Sequence, residues 1–149
     1  MESHKRVLVV DDDLEVQRMM SSALAPHGLV VDVASNGQEA LDAIRENTYA
    51  VVLLDLLMPL VDGFGVLAAL HTEGMQSPPV VLVLTGAERS VIEQLDPTRI
   101  HGVVRKPFDP HELASLIVAC SEIKGRGFGA MAIATLVSGA PFFAWLVKP

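Results

Sequence analysis

The strongest constraint on the fold is the run Val51-Val52-Leu53-Leu54, which meets its first polar residue at Asp55 and then enters a loop marked by Pro59 and Gly63. A strand that is apolar at every position has no side to give to water, so it belongs inside a parallel sheet covered on both faces. Its first polar residue then stands at the sheet's carboxyl edge, where open α/β sheets hold their ligands. Val7-Leu8-Val9-Val10 repeats the pattern and ends in Asp11-Asp12-Asp13, while Val80-Val81-Leu82-Val83-Leu84 ends in Thr85-Gly86.

Helical spacing separates these runs. Leu14, Val16, Met19, Met20, Ala23 and Leu24 fall on one helical stripe until Pro26-His27-Gly28 stops it. Residues 29–34 form a second strand, and Asn36-Gly37 opens a helix with Ala40, Leu41 and Ile44 on its inner side. The third strand covers residues 50–54. Val66, Leu67 and Leu70 mark a helix ending by Gly74, and Pro78-Pro79 precedes the fourth strand. A weaker helix is expected over residues 89–95. Residues 101–104 make a short fifth strand before Arg105-Lys106-Pro107-Phe108, and Asp109 caps a helix that has Pro110 at its first position and runs to about Ile123.

Five strands alternating with five helices imply a doubly wound parallel sheet with right-handed crossovers. In the order 2-1-3-4-5, the flavodoxin-like arrangement, the first and third strands are neighbours at the switch point and four loops converge on one crevice. Asp11, Asp12, Asp55, Thr85 and Lys106 all lie just past strand ends. Two carboxylates about 4 Å apart repel by roughly 4 kcal/mol at an effective dielectric near 20, so three of them call for a cation. Mg²⁺, which takes carboxylates, water and phosphate oxygens, suits the donor set, and with Lys106 it brings the pocket close to neutral. That balance favours phosphoryl transfer to a carboxylate: Asp55 as nucleophile, Lys106 and the metal on the equatorial oxygens, and the Thr85 hydroxyl on one of them.

Composition narrows the classes. Half of the 149 residues are hydrophobic, enough for one domain with a real core, and a net charge of -7 with scattered Lys and Arg argues against direct nucleic-acid binding. Cys120 is the single cysteine, which excludes an intrachain disulfide and fits a reducing cytoplasm; it reads as a buried helix residue. The amino-terminal residues before the first strand lack the apolar core of a secretory signal. Histidines 4, 27, 71, 101 and 111 share no metal-ligand spacing and read as surface or structural.

Val9-Val10-Asp11-Asp12-Asp13, Asp55 with Met58-Pro59 and Asp62-Gly63, Thr85-Gly86, and Lys106-Pro107-Phe108 together resemble the receiver domain of bacterial two-component response regulators. The resemblance covers residues 5–123 and itself carries the 2-1-3-4-5 order. It implies that Asp55 takes a phosphoryl group from a phosphohistidine on a sensor histidine kinase or phosphotransfer protein. It also implies that Asp12, Asp55 and the Leu57 backbone carbonyl bind Mg²⁺ directly, with Asp11 acting through metal-bound water. Thr85 and Lys106 would read out the phosphoryl group and shift the face formed by the fourth helix, fifth strand and fifth helix, changing a protein-binding surface. Such a domain is a phosphoacceptor and not an enzyme acting on other molecules. Two departures from the family's habit matter: Val103 stands where an aromatic residue is frequent, and Leu57 and Ala87 are apolar where polar residues often manage the attacking water. A slow autodephosphorylation is the expected result.

Two rivals stand beside this reading. Asp11-Asp12-Asp13 also contains the Asp-x-Asp pattern of haloacid-dehalogenase-like phosphatases, in which Asp11 would be the nucleophile, although the later acidic pair is missing. The other rival is a receiver-like binding module independent of phosphorylation. Residues 124–149 form a hydrophobic tail, uncharged from Gly127 to Val147 and broken by Pro141. About 21 residues at 1.5 Å each could cross a bilayer core as a helix. An extra helix over residues 128–138, docked on the domain or across a homodimer, fits as well, and so does a link to a further output domain. Spanning the membrane, the tail would tether a cytoplasmic receiver to its inner face, with Lys124 and Arg126 on the cytoplasmic side.

Overall fold

The computed structural model of the chain describes residues 6–75 and 77–124. Five strands, β1 (Arg6–Val10), β2 (Val30–Ala34), β3 (Val51–Leu54), β4 (Val80–Thr85) and β5 (Gly102–Arg105), pair in parallel in the order β2-β1-β3-β4-β5. Helices α1 (Leu14–Leu24), α2 (Gly37–Glu46), α3 (Gly63–Glu73), α4 (Arg89–Ile92) and α5 (Pro110–Lys124) carry the chain back from the carboxyl edge to the amino edge after each strand. A 3₁₀ turn, Ala25–His27, follows α1 and closes on Gly28 in the left-handed region at φ 74°.

Strand alternation builds two cores. Val7, Val9, Val51, Leu53, Leu82 and Leu84 face Met20 and Leu24 of α1 and Ile117 and Cys120 of α5. Leu8, Val10, Val52, Leu54, Val81 and Val83 face Ala40 and Ile44 of α2 and Val66 and Leu67 of α3. The central strands β1, β3 and β4 therefore need apolar residues at consecutive positions, which is the pattern that identified them.

Helix starts follow local chemistry. The Asp13 carboxylate accepts from the Glu15 amide, Asn36 from Glu39, Asp62 from Gly65, and Asp109 from His111 and Glu112. α4 is shorter than the spacing over residues 89–95 predicts. Its cap, Glu88, makes no side-chain bond, and after Ile92 the backbone tightens into i,i+3 bonds from Gln94 to Val91 and from Leu95 to Ile92. His101, half-buried, accepts the Val81 amide on Nδ1 at 3.0 Å, a structural role at the start of β4. No helix among the described residues is long and apolar enough to cross a membrane. The tail from 125 to 149, including the helix expected over 128–138, lies outside the described residues.

Candidate functional site

Three of the four sheet ladders extend one residue past their strands, and those residues are polar. The Asp11 amide donates to the Ala34 carbonyl at 3.0 Å, the Asp55 amide to Val10 at 2.9 Å, and the Lys106 amide to Thr85 at 3.0 Å. Backbone pairing thus fixes the starting points of four side chains before any contact between them forms. Lys106 and Pro107 are joined by a cis peptide bond.

The carboxylates of Asp11, Asp12 and Asp55 offer oxygens that all lie within 4.8 Å of one another. Asp11 and Asp55 are buried, at 1% and 5% exposure, while Asp12 is exposed. Lys106 reaches in from the β5 end, its Nζ 2.9 Å from Asp11 Oδ2 and 3.6 Å from Asp55 Oδ2. Both Asp11 oxygens are engaged, because Oδ1 accepts the Asp13 amide at 2.9 Å. Asp55 has the long 3.4 Å bond from the Leu57 amide, the more distant Lys106 and an interaction with the Thr85 hydroxyl. Lys106 thus holds Asp55 at longer range than it holds Asp11.

Burial holds the Asp55 carboxyl above the ordinary aspartate range, and the Asp11 charge pushes the same way against the opposing pull of Lys106. For Lys106 burial alone would lower the pKa, but the hydrogen bond to Asp11 and the charges of Asp55 and Asp11 raise it, so the ammonium stays charged. One lysine facing three carboxylates leaves the cluster short of positive charge. An all-oxygen donor set open on the Asp12 side suits a hard divalent ion such as Mg²⁺.

Thr85 is fully buried, and its Oγ1 accepts the Ala87 amide at 3.1 Å, which orients the hydroxyl and ties the loop after β4 to the strand end. Ala87 is buried and Leu57 is 55% exposed, so neither sets a polar group over Asp55. Val103 is buried in β5 opposite Val83 and has no ring to swing.

One support escaped the sequence, and a second was marked there without its packing role. Gln17, buried in α1, donates from Nε2 to the Asp11 carbonyl at 2.7 Å and to Ser35 Oγ at 3.0 Å, holding the turn after β1. Its signal was a polar side chain on the stripe of Met20 and Leu24, three and seven positions on. The second support is Gly63, whose amide donates to the Leu56 carbonyl at 2.9 Å. A β-carbon there would strike the Asp55 carbonyl and lie 2.7 Å from Leu56 Cα. Glycine is what lets α3 start directly behind the Asp55 loop.

Residues 7–118 match the family model of the response regulator receiver domain. The chain belongs to that family. Among its relatives, this receiver is 35% identical over 113 residues to the transcriptional regulatory protein SrrA of Staphylococcus aureus, an alignment covering 76% of this chain and 46% of that protein. The chain thus spans about half the length of the curated relatives it matches. The receiver of Francisella response regulator 1452 is 28% identical with a TM-score of 0.70, covering 80% of this chain and 98% of that one. Response regulator TrrA of Thermotoga maritima, crystallised with Mg²⁺ and BeF, is 28% identical with a TM-score of 0.68, covering 78% and 98%. Receiver domains act in two-component signalling, with an aspartate phosphorylation site beside an acidic Mg²⁺-binding triad, and the converged acidic cluster here fits that description.

Proposed function

We propose that this receiver accepts a phosphoryl group on Asp55 from a phosphohistidine of a sensor histidine kinase or phosphotransfer protein, and that the modification switches a protein-binding surface. The observation carrying the choice of Asp55 is the contrast between the two buried carboxylates: Asp11 is bonded on both oxygens, whereas Asp55 keeps its Oδ2 3.6 Å from Lys106. An Asp55 oxygen attacks phosphorus, the phosphorus–nitrogen bond breaks, and the donor imidazole leaves with the electron pair, giving an acyl phosphate. Asp11, Asp12, Asp55 and the Leu57 carbonyl would hold Mg²⁺, which when bound neutralises charge on the phosphoryl oxygens.

Lys106 can turn from Asp11 toward a phosphoryl oxygen on Asp55, since it already stands between the two carboxylates. The Thr85 hydroxyl can donate to a phosphoryl oxygen while its oxygen still accepts the Ala87 amide, so a shift of Thr85 toward the phosphoryl group pulls on the loop before α4. The short α4, held by few bonds, is the element such a pull displaces, and the surface of α4, β5 and α5 is the output face. Without a ring at Val103, the output runs through the α4 loop. Leu57 and Ala87 offer no group to orient water, so the phosphorylated state is long-lived. The reading places the receiver in the cytoplasm, where it serves as a phosphoacceptor for a kinase and passes the signal to a protein partner, with no direct contact to nucleic acid.

The test is intact-mass analysis after incubation with a small phosphoramidate donor and Mg²⁺. One added phosphoryl group, absent with a chelator and absent in Asp55→Asn, is expected. Unchanged phosphorylation of Asp55→Asn would sink the assignment.

A further inference from the structure

The turn between β2 and α2 supplies none of the groups in the acidic cluster, yet it touches both loops that do. On one side the Ala34 carbonyl accepts the Asp11 amide at 3.0 Å, and Ser35 Oγ shares the Gln17 side-chain amide with the Asp11 carbonyl, at 3.0 and 2.7 Å. On the other side the Gly37 amide, at the head of α2, donates to the Val61 carbonyl at 2.9 Å. Gly37 is buried, and a β-carbon there would strike the Val61 carbonyl oxygen and lie 2.7 Å from its carbonyl carbon. Val61 is held from the α3 side as well, since a β-carbon on Gly65 would come within 2.7 Å of Val61 Cγ1. Two helix heads therefore close on one residue of the Asp55 loop, and both do so through glycine.

The turn itself is clasped. Glu39 Oε1 accepts the Ser35 amide at 3.0 Å, its Oε2 accepts the Asn36 side-chain amide at 3.1 Å, and the Glu39 amide returns to Asn36 Oδ1 at 2.9 Å. The Asp55 loop is closed in a similar way, by the Gly63 amide on the Leu56 carbonyl, so a push at Val61 reaches Leu56 and Leu57. A displacement cannot be absorbed at Gly37 alone. If the Asp55 loop gives, the Leu57 carbonyl moves; if the turn gives, Ser35 and Gln17 carry the Asp11 carbonyl with them. Mg²⁺ tolerates little of either, because it holds its oxygens at about 2.0–2.1 Å in a near-ideal octahedron. We propose that residues 35–39 form a positioning clamp that sets the spacing between the Asp11–Asp12 loop and the Asp55–Leu57 loop, and that Gly37, without touching the metal or the phosphoryl group, governs Mg²⁺ affinity. The inference rests on the reading of Asp11, Asp12, Asp55 and the Leu57 carbonyl as the groups that hold Mg²⁺.

Calorimetric titration of the full chain with Mg²⁺ tests the clamp, beside phosphorylation by the small phosphoramidate. Gly37→Ala is expected to weaken Mg²⁺ binding about tenfold, as loss of the support behind a ligand does. The Mg²⁺ concentration for half-maximal phosphoryl uptake should rise by the same factor, with the rate at saturating Mg²⁺ close to wild type. Gly28→Ala, whose β-carbon meets nothing within 4 Å, costs stability through its positive φ and is expected to leave the Mg²⁺ affinity unchanged. Where Gly37→Ala fails to fold, Glu39 decides: the residue is exposed, Glu39→Ala opens the clasp, and Glu39→Gln keeps an acceptor for the Ser35 amide. Glu39→Ala is expected to weaken Mg²⁺ binding severalfold and Glu39→Gln to restore it, although both remove the same charge. Wild-type affinity in either Gly37→Ala or Glu39→Ala overturns the proposal, as does equal weakening in Gly28→Ala or in Glu39→Gln. A wild type that binds no Mg²⁺ overturns the reading of the metal-holding groups and this inference together.

Discussion

Replacing Asp55 with asparagine should stabilise the fold when no divalent ion is present. Lys106 at 3.6 Å attracts the Asp55 carboxylate by about 4.6 kcal/mol, and Asp11, within 4.8 Å, repels it by at least about 3.5 kcal/mol, both at an effective dielectric near 20. These nearly cancel, so the desolvation of a carboxylate only 5% exposed sets the sign, in agreement with its raised pKa. A raised folded value means that the native state holds the proton more tightly than the unfolded chain does. The cost of the charge is absent below the ordinary value of 3.8 and complete once the pH exceeds the folded value. Asp55→Asn removes that cost, a gain of about 1–2 kcal/mol at pH 7. In a thermal melt this reads as about 3–8 °C. The advantage should shrink toward pH 4. Mg²⁺ should reverse the trend by stabilising the native wild type, by about 1.4 kcal/mol at tenfold excess over Kd. A melt showing Asp55→Asn no more stable than wild type at pH 7 in chelator, or an advantage undiminished at pH 4, would refute the reasoning.

Gln17→Leu strips the Asp11 carbonyl and Ser35 of their shared donor and should cost about 1–3 kcal/mol in urea unfolding while slowing phosphoryl uptake; an unchanged midpoint would count against the support assigned to it. Gly63→Ala drives a β-carbon into the Asp55 carbonyl and should cost about 1–3 kcal/mol or more. By contrast Gly28→Ala, with nothing within 4 Å, should cost only about 1 kcal/mol for its positive φ, so the reverse ranking would contradict the packing argument. Burial pushes the Cys120 thiol up to about 12, so a thiol reagent at pH 8 should label the protein only as fast as it unfolds. The associated stability is whole below the ordinary value of 9.0 and is lost as the pH climbs toward the folded one. Rapid labelling of native protein would contradict this. Leu57→Asn should shorten the phosphoryl lifetime, measured by loss of the added mass after the donor is removed, and an equal lifetime would remove Leu57 from the account.

Asp11, Asp55, Thr85 and Lys106 were legible because each ends or directly follows a strand that the sequence marks, as an apolar run or ahead of a Pro-marked turn, and a parallel sheet aligns those ends on one edge. Both cores were legible from the same runs. What Lys106 does in the free protein was not. Spacing brings it to the pocket, but only the path of β5 sets it closer to Asp11 than to Asp55. The support from Gln17 was hidden because its helix position gives an apolar stripe and says nothing of the turn it faces. Tyr49 was also missed: its hydroxyl donates to Asp32 Oδ2 at 2.6 Å, and Arg6 reaches the same oxygen at 2.8 Å, a link across three segments with no signature in any one of them. α4 came out short because i,i+3 turns displaced the continuation that the apolar spacing suggested.

The most direct measurement is borohydride reduction of the phosphorylated protein followed by peptide mass mapping, which converts an acyl phosphate to an alcohol and marks the aspartate that carried it. The account predicts homoserine at position 55, with Asp11 and Asp12 intact. Homoserine at position 11 would contradict it and make Asp11 the nucleophile.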